Sequence, residues 1–175
     1  GYHPIPVQPP VPGDKDTGKK AIVKWKQFQD EPPTKAQLCE WFRPGSRNNV
    51  ALVFGRGTFA VALDGPKAEE LLRARGVELP DVAPRSKTAD GYHVLLEGST
   101  ADAVALLKTP ELRPGTKKPA SSVDVRGVGY IVAPPSVHFT GHVYDWVVRP
   151  PAGAEVPVAP AELMALLKTN GNRPA

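Results

Sequence analysis

Proline limits what this chain can fold into more than any other residue. The sequence contains 21 prolines among 175 residues. Proline fixes φ and has no amide hydrogen, so it interrupts helices and is excluded from the middle of central strands. We therefore expect short helices and strands that are joined by stiff connections.

Length and composition indicate one cytoplasmic domain with a short tail. A chain of this size buries a substantial core, since roughly two-thirds of the unfolded surface is hidden at about 150 residues. No apolar run approaches the roughly 20 residues that cross a bilayer, and the N-terminus lacks the charged and then apolar order of a signal peptide. The single cysteine, Cys39, excludes an internal disulfide framework and fits a reducing compartment.

The distribution of charge favours an anionic partner such as nucleic acid or nucleotide. The net charge is +4 and the isoelectric point is about 9.2, which is mildly basic. The cations cluster in three segments, which contain Lys15, Lys19, Lys20, Lys24 and Lys26, then Arg43, Arg47 and Arg56, then Arg113, Lys117 and Lys118. Charge alone fits solvated loops equally well.

Caps and helix breakers predict four helices. They begin after Thr34, at Pro66, after Ser99 or Thr100, and at residue 161, beyond a Pro/Ala linker over 150–160. The third helix depends on Val104, Leu106 and Leu107, whose spacing we interpret as helical.

Runs of β-branched and aromatic residues predict the strands. They cover residues 50–54, 58–63, 93–97, 122–126, 129–133 and 143–148. The first two are predicted to form a hairpin across Gly55-Arg56-Gly57, and 122–126 is predicted to pair with 129–133. This order of elements implies an α+β fold, in which helices cover one side of a sheet.

Two carboxylates fall on the strand faces that we expect to be open. Side chains alternate between the two faces of a strand, so the core side of the strand over 58–63 carries Phe59, Val61 and Leu63. Ala62 and Asp64 then share the opposite, open side, and Asp124 and Arg126 share the equivalent side of their strand. Mg²⁺ or Mn²⁺ binds to one or two such carboxylates together with water and phosphate oxygens. Acids that merely solvate strand ends remain the alternative.

Two histidines are candidate ligands of a nucleotide. His93 opens a strand just after Gly91, and a ring nitrogen of histidine donates well to a phosphate oxygen. Farther along, Pro134-Pro135 stiffens a loop that presents Ser136 and His138 as a rigid wall for a ribose and base. Each residue alone also fits an ordinary structural hydrogen bond or turn.

Taken in order, the motifs resemble the bifunctional primase-polymerase domain of the archaeo-eukaryotic primase superfamily, which occurs in phages, plasmids and mobile elements. The matching pieces are Gly1-Tyr2-His3-Pro4-Ile5-Pro6, Gly18-Lys19-Lys20, Trp25, Asn49-Val50-Ala51-Leu52-Val53-Phe54-Gly55, Leu63-Asp64-Gly65, Lys87-Thr88, Gly91-Tyr92-His93, Val123-Asp124-Val125-Arg126-Gly127, Gly129-Tyr130-Ile131-Val132-Ala133-Pro134-Pro135-Ser136, His138, Gly141, Tyr144 and Trp146. Their order and spacing make the resemblance specific. We expect a catalytic domain over residues 1–150, then a linker and short helix over 151–175.

The resemblance implies a primase-like core, with an RRM-like mixed or antiparallel sheet that is covered by helices. It implies a DNA primase and polymerase that uses a DNA template and primer with dNTPs, and it leaves rNTPs open. Two Mg²⁺ or Mn²⁺ ions would be held by Asp64 and Asp124, which with His93 form the expected catalytic set. The residues we assign to the nucleotide are His93, Lys87, Arg126, Ser136 and His138. The resemblance also implies a helicase or helix-bundle region after residue 175.

One position departs from the pattern of the family. Its first motif is Asp-x-Asp, whereas this chain reads Ala62-Leu63-Asp64. A methyl group therefore stands where a metal-binding acid is expected, and the loss of one ligand should cripple turnover while nucleotide binding remains. A deliberately inactivated variant and a natural member that binds without catalysing are both open. The intact remaining motifs favour the first.

Two other function classes compete with a polymerase. A non-catalytic module that binds nucleotide or single-stranded DNA also explains the basic segments. A metal-dependent nuclease is less favoured, because His93 and the lysines suit phosphate binding better than the activation of water.

Overall fold

The computed structural model describes residues 1–55, 57–98, 103–150 and 155–171. The strands in these ranges are β1 (Tyr2–Val7), β2 (Asn49–Phe54), β3 (Thr58–Asp64), β4 (Arg85–Lys87), β5 (Gly91–Glu97), β6 (Ala103–Lys108), β7 (Ser122–Arg126), β8 (Tyr130–Ala133) and β9 (Asp145–Val148). The helices are α1 (Lys35–Trp41), α2 (Ala68–Arg73) and α3 (Ala161–Gly171), with a short 3-10 helix at Lys26–Gln29. Within the same ranges, no helix has the length and apolarity that a membrane span requires.

The strands form two antiparallel sheets. One has three strands in the order β1-β2-β8, and the other has six in the order β6-β7-β3-β5-β4-β9. Few helices accompany them, which confirms the predicted α+β class. The large sheet has β3 near its middle, so this strand has neighbours on both sides that position its side chains.

Helices α2 and α3 cover one face of the six-stranded sheet, which we call the helix face. Phe59, Val61 and Leu63 lie on it at no more than 1% exposure, as predicted from their alternation. Leu163 and Leu167 of α3 pack into the same apolar cluster. The terminal helix is therefore part of this core, and the predicted domain boundary at residue 150 stays a prediction.

The three-stranded sheet covers part of the other face, which we call the site face. Ala60 and Leu95 of the large sheet pack there against Phe54 and Ile131 of the small one. The prediction that this side of β3 is open is therefore wrong for Ala60 and Ala62, which are 0% and 3% exposed. The apolar residues of a second sheet need a partner surface, and the small side chains of β3 supply it.

Tyr2 fastens the small sheet to the large one. Its hydroxyl donates to the carbonyl of Phe59 at 2.6 Å and accepts from the amide of Leu96 at 3.0 Å. Phe59 and Leu96 are direct partners in the pairing of β3 with β5. The N-terminal segment, for which no strand was predicted, thus contributes strand β1 and an anchor between the sheets.

The two predicted hairpins are wrong. Strand β2 pairs with β1 and β8, while β3 pairs with β5 and β7. Strands β7 and β8 likewise belong to different sheets. The glycine-rich connections therefore carry the chain from one sheet to the other, and Arg56, the middle residue of the first predicted turn, lies outside the described residues.

The helix predicted to carry Val104, Leu106 and Leu107 is also wrong, since these residues belong to strand β6. Its pairing with β7 shifts register between Ala105 and Leu107. This bulge places Val104 opposite Val125 and Leu107 opposite Val123, so both lie on the helix face. An apolar spacing of three residues is typical of a helix, but here a bulge produces it. The proposed caps, Ser99 and Thr100, fall outside the described ranges.

The other helix predictions hold. Thr34 caps α1 in a reciprocal arrangement with Gln37. The amide of Gln37 donates to the Thr34 hydroxyl oxygen at 3.2 Å, and the amide of Thr34 donates to the Gln37 side chain at 2.8 Å. The helices expected at Pro66 and at residue 161 are α2, which begins at Ala68, and α3.

Candidate active site

One row of side chains crosses the six-stranded sheet on the site face. The register places Asp124 of β7 beside Ala62 of β3, and Ala62 beside His93 of β5. The row continues through Ser86 of β4 to Trp146 of β9. Directly paired residues in antiparallel strands have Cβ atoms roughly 4.5–5.5 Å apart. Ala62 is therefore the only side chain of this row between the carboxylate and the imidazole.

Asp64 lies one step farther along β3 on the same face. Its neighbours across the strands are Gly91 and Ser122. These side chains are small or absent, so the Asp64 carboxylate has open space on both sides. The two acids predicted from strand alternation thus do lie on one face, in adjacent rows.

Two cavities meet at Asp64. The central cavity, of about 530 Å³, is lined by Lys19, Ala62, Asp64, His93, Arg126 and His138 among others. The edge cavity, of about 750 Å³, lies toward edge strand β6, and its lining includes Asp64, Arg75, Lys108, Arg113, Asp124 and Arg126. The side chains that line both are Asp64, Asp90, Lys118 and Arg126. A molecule in either cavity would therefore contact the same central carboxylate and arginine.

The acids of the site are held where their ionised form is unfavourable. Burial raises the pKa of the Asp64 carboxyl above its ordinary value, and the charges of Asp124 and Asp90 raise it further. Arg113 and Arg126 act in the opposite direction. Burial also raises the pKa of Asp124. A cation bound between such carboxylates relieves both the burial of charge and the repulsion.

The carboxylates suit a metal ion whose remaining ligands come from elsewhere. Asp64 and Asp124 provide two acidic side chains, which is the usual protein contribution to a Mg²⁺ that keeps water and phosphate oxygens in its shell. In the described part of the chain, no three His, Cys, Asp or Glu side chains are grouped so that they would hold a metal ion. The donor set therefore fits an ion that arrives with a phosphate ligand.

His93 is a neutral imidazole at physiological pH. Burial lowers its pKa to about 4, and the positive charges of Arg126 and Lys19 act in the same direction. A backbone hydrogen bond with Val132 opposes them. A neutral ring has one N–H donor and carries no fixed positive charge.

The positive charge of the central cavity comes from other residues. Lys19 and Lys118 are exposed at its lining, together with Arg126. His138 also lines it, and partial burial and Lys19 lower the pKa of its ring. The lining of the central cavity thus combines the carboxylates of Asp64 and Asp90 with several cations, an arrangement that suits a phosphate chain with a divalent ion.

Asn49 holds two of these loops in place. Its side-chain amide donates to the carbonyl of Gly18 at 3.0 Å and to that of Val137 at 2.8 Å, and its side-chain oxygen accepts from the amide of Val137 at 2.9 Å. Lys19 and His138 directly follow these two anchored residues. The buried Asn49 therefore fixes the distance between two cavity residues that are far apart in sequence.

Two residues that were assigned to the nucleotide lie outside both cavities. Lys87 pairs with Tyr92, which packs on the helix face, so Lys87 lies on the opposite side of the sheet from His93. Ser136 is 2% exposed, and its hydroxyl both accepts from the amide and donates to the carbonyl of Val50. These bonds tie the diproline loop to β2. The other assigned residues, Arg126, His93 and His138, line the central cavity.

The sequence did not reveal an ion pair that joins two loops beside the site. Residues 109–121 form a ribbon in which Arg113 reaches Asp90 at 3.1 Å. Asp90 sits at the turn before β5 and lines both cavities. Tyr144 lines the central cavity as well, and burial, then Asp90 and Asp64, raise its pKa to about 12. The basic segment that contains Arg113 gave no indication of this acidic partner in the sequence.

Comparison with known proteins identifies a family. A family model described as bifunctional DNA primase/polymerase, N-terminal, matches residues 1–163 of this chain. No curated protein matches it. The matched range contains both sheets, the row of side chains from Asp124 to Trp146, and both cavities.

Proposed function

Because the chain belongs to the family of bifunctional DNA primase/polymerase N-terminal domains, we propose that it binds a dNTP and a DNA primer-template for nucleotidyl transfer, and that Ala62 weakens turnover. The family is one of nucleotidyltransferases, and its substrates are DNA and nucleotides. The finer assignments concern where each substrate binds, which ion assists, and what residue 62 does.

The observation that carries the proposal is the meeting of two cavities at Asp64. Strand extension joins a 3′-hydroxyl to the α-phosphate of a nucleotide, so two substrates must approach one point from different sides. In our proposal the triphosphate occupies the central cavity, beside His93 and Lys19. The primer end enters the edge cavity, where Arg75 and Lys108 would contact its phosphates.

Mg²⁺ or Mn²⁺ would be held by Asp64 and Asp124. When bound, such an ion lowers the pKa of the attacking hydroxyl and neutralises charge on the departing pyrophosphate. The chain's own contribution is positional. His93 donates a hydrogen bond to a phosphate oxygen, and Lys19 and Arg126 balance the charge of the triphosphate.

Ala62 would lower the rate of turnover while nucleotide binding remains. An aspartate at this position would lie between Asp124 and His93, in direct register with both. With alanine there, the site has a methyl group where the Asp-x-Asp pattern of the family has an acid. Metal ligation contributes several kcal/mol to the transition state, so we expect at least about 100-fold slower turnover than with an aspartate.

Restoring the acid tests the proposal. Ala62→Asp should increase Mn²⁺-dependent extension of a DNA primer by about 100-fold or more, whereas Ala62→Asn, with the same shape and no charge, should not. Extension is followed on a labelled primer, and folding of each variant is checked by thermal unfolding. An Ala62→Asp protein that folds and binds Mn²⁺ but extends no faster than the parent would contradict a polymerase site.

A binding module remains the second candidate, and the methyl group of Ala62 is the observation that favours it. A protein that only holds single-stranded DNA would bind it more weakly as salt rises, because basic side chains release counterions on binding. Ala62→Asp would then gain no extension activity. Steep salt dependence together with an inactive revertant would select this function over the polymerase.

A further inference from the structure

The ribbon over residues 109–121 is anchored at its base beside the site. The amide of Thr109 donates to the carbonyl of Ser121 at 2.9 Å, and the amide of Ser121 donates to the Thr109 hydroxyl oxygen at 3.0 Å. The Ser121 hydroxyl oxygen also accepts from the amide of Lys67, in the connection after β3. Thr109 and Ser121 are both buried. The base of the ribbon therefore has a fixed position.

The glycine that follows Asp64 lets the ribbon lie across the end of β3. Gly65 has a φ of +84°, in the region that L side chains disfavour. A Cβ atom at this position would also collide with the carbonyl oxygen of Ala120, in the returning arm of the ribbon. The ribbon thus passes close to the backbone next to the central carboxylate.

The outer part of the ribbon is basic and exposed. The ribbon contains three cations and one acid, Glu111. Arg113 is engaged with Asp90, whereas Lys117 is exposed and takes part in no ion pair within the described part of the chain. Lys118 lines both cavities. Positive charge therefore continues from the lining of the cavities to the outer end of the ribbon.

Leu112 adds an apolar contact to this basic surface. It is 57% exposed and lies directly opposite Pro119, which lines the edge cavity. A single exposed leucine is ordinary by itself. On this ribbon it lies among cations and beside a cavity. Surfaces that bind the grooves of DNA have this combination, in which cations contact phosphates and apolar side chains contact sugars and base edges.

The position of the ribbon decides which form of DNA it meets. In the proposed function the primer end enters the edge cavity, and a primer that can be extended is paired with its template behind its 3′ end. The ribbon continues β6 and β7, the two strands at this side of the sheet. It therefore faces paired DNA, and a two-stranded ribbon is narrow enough to enter a groove.

We propose that the ribbon over 109–121 is a binding site for the primer-template duplex, in which Lys117 contacts a phosphate and Leu112 packs against the groove. The choice of duplex as the ligand rests on the function proposed above. The ribbon binds DNA separately from the nucleotide and the metal ion, so its variants should weaken DNA binding while dNTP binding is unchanged.

Fluorescence anisotropy with a labelled primer-template and the full chain tests this site. Leu112→Ser should raise the Kd for the duplex roughly three- to tenfold without changing its salt dependence, because it removes an apolar contact. Lys117→Gln should raise the Kd and reduce the slope of log Kd against log salt by about one, because one phosphate contact is lost. Both variants should bind the unpaired template strand as the parent does.

Matched substitutions elsewhere control for the loss of any exposed side chain. Val147 is 58% exposed on β9, at the opposite edge of the large sheet, and Lys168 is exposed on α3. Val147→Ser and Lys168→Gln should leave the Kd for the duplex and its salt dependence unchanged. Thermal unfolding checks that each variant folds.

The outcomes separate this site from the proposed function. Parent affinity for the duplex in folded Leu112→Ser and Lys117→Gln would overturn the site, even if Ala62→Asp extends a primer. Equal losses for the duplex and for the unpaired strand would overturn the choice of duplex. The predicted losses together with an inactive Ala62→Asp would support the site and contradict the polymerase. A parent chain that binds no primer-template would overturn both.

Discussion

The helix face and the site face of the six-stranded sheet differ in how completely their buried side chains find packing or hydrogen-bond partners. On the helix face, Phe59, Val61 and Leu63 pack into one apolar cluster with α2 and α3. On the site face, the row that contains Asp124 and His93 combines a carboxylate, a methyl group, an imidazole and a hydroxyl. Two of its polar atoms are buried without a partner among the described residues.

This difference separates two tasks within single strands. Leu63 and Asp64 are adjacent in β3, yet one completes a core and the other is a carboxylate whose ionisation is opposed by burial and by like charges. Groups that are perturbed in this way concentrate at functional sites, where a ligand completes them. The helix face should therefore determine stability, and the site face should respond to pH and ligands.

The largest effect is expected on the helix face. Phe59→Ala should lower the free energy of unfolding by about 3–5 kcal/mol, because it removes a fully buried ring from the main cluster. Asp124→Ala, on the site face of a neighbouring strand, should change it by less than about 1 kcal/mol. Urea unfolding of both variants measures the difference. Equal losses in the free energy of unfolding would mean that the helix face contributes no more to stability than the site face.

The next effect is a dependence on pH that arises at His93. Burial lowers the pKa of His93 from its ordinary 6.5 to about 4 in the folded chain, so protons bind preferentially to the unfolded state. The stabilisation is fully present above pH 6.5 and is lost as pH falls toward 4, by about 3 kcal/mol in total. Unfolding of the parent across this range should show the loss, and His93→Gln should not.

The site carboxylates change the free energy of unfolding with pH in the opposite direction to His93, so their contribution must be subtracted. The raised pKa values of Asp64 and Asp124 mean that the folded state holds their protons more tightly, so their contribution to stability grows as pH falls. The quantity to compare is therefore the difference between parent and His93→Gln at each pH. A difference that stays constant from pH 7 to pH 4 would show that His93 is not buried as a neutral ring.

Sequence alone predicted the alternation of the strands and the side of the sheet on which the two acids lie. Asp64 and Asp124 were assigned to one side of the sheet because strand parity is a local property, and parity put Ala62 on the same face. His93 was singled out only by its place after Gly91 and by the chemistry of its ring. The pairings of β2 with β3 and of β7 with β8 were wrong, because a glycine-rich connection looks alike whether it turns a hairpin or crosses between sheets. Sheet partners are non-local, so no local pattern fixes them.

Other features were missed for physical reasons that the structure identifies. The bulge in β6 gives Val104 and Leu107 a helical spacing, so periodicity favoured the wrong element. The contact of Arg113 with Asp90 joins two loops that are remote in sequence. Lys87 was assigned from its place in a motif, although the register of β4 puts it on the helix face. Long-range packing decided each case.

A smaller effect is expected when a charge is removed from the site. Asp64→Asn should raise the free energy of unfolding at neutral pH by about 0.5–2 kcal/mol, because it ends the repulsion with Asp124 and Asp90. Asp81→Asn, at an exposed loop position, should stay within about 0.5 kcal/mol of the parent. Thermal unfolding should also show that Mn²⁺ stabilises the parent and Asp81→Asn but not Asp64→Asn. Destabilisation by Asp64→Asn would show that the carboxylate has a structural role.

The smallest effect on stability is expected when the ion pair between Arg113 and Asp90 is removed. Arg113 and Asp90 are 27% and 59% exposed and 3.1 Å apart, so a double-mutant cycle with Arg113→Gln and Asp90→Asn should give a coupling of only about 0.2–1 kcal/mol. The coupling should nearly vanish at 1 M salt, where the Debye length is about 3 Å. Arg85 and Glu69 form a matched pair on the helix face, at 2.7 Å with exposures of 21% and 41%, and should give a similar coupling.

The two pairs should differ in what they do to Asp64. Arg113 lowers the pKa of this carboxyl and Asp90 raises it, so Arg113→Gln should move its titration upward and Asp90→Asn downward, as followed by carboxyl carbon NMR. Glu69→Gln and Arg85→Gln should leave it in place, because that pair lies across the sheet. Equal shifts from both pairs would mean that Asp64 senses overall charge. Suppose instead that only Arg113→Gln and Asp90→Asn shift the Asp64 titration, and in opposite directions. The ion pair on the site face would then tune the electrostatics of the site, whereas the pair of similar strength on the helix face would contribute to stability alone.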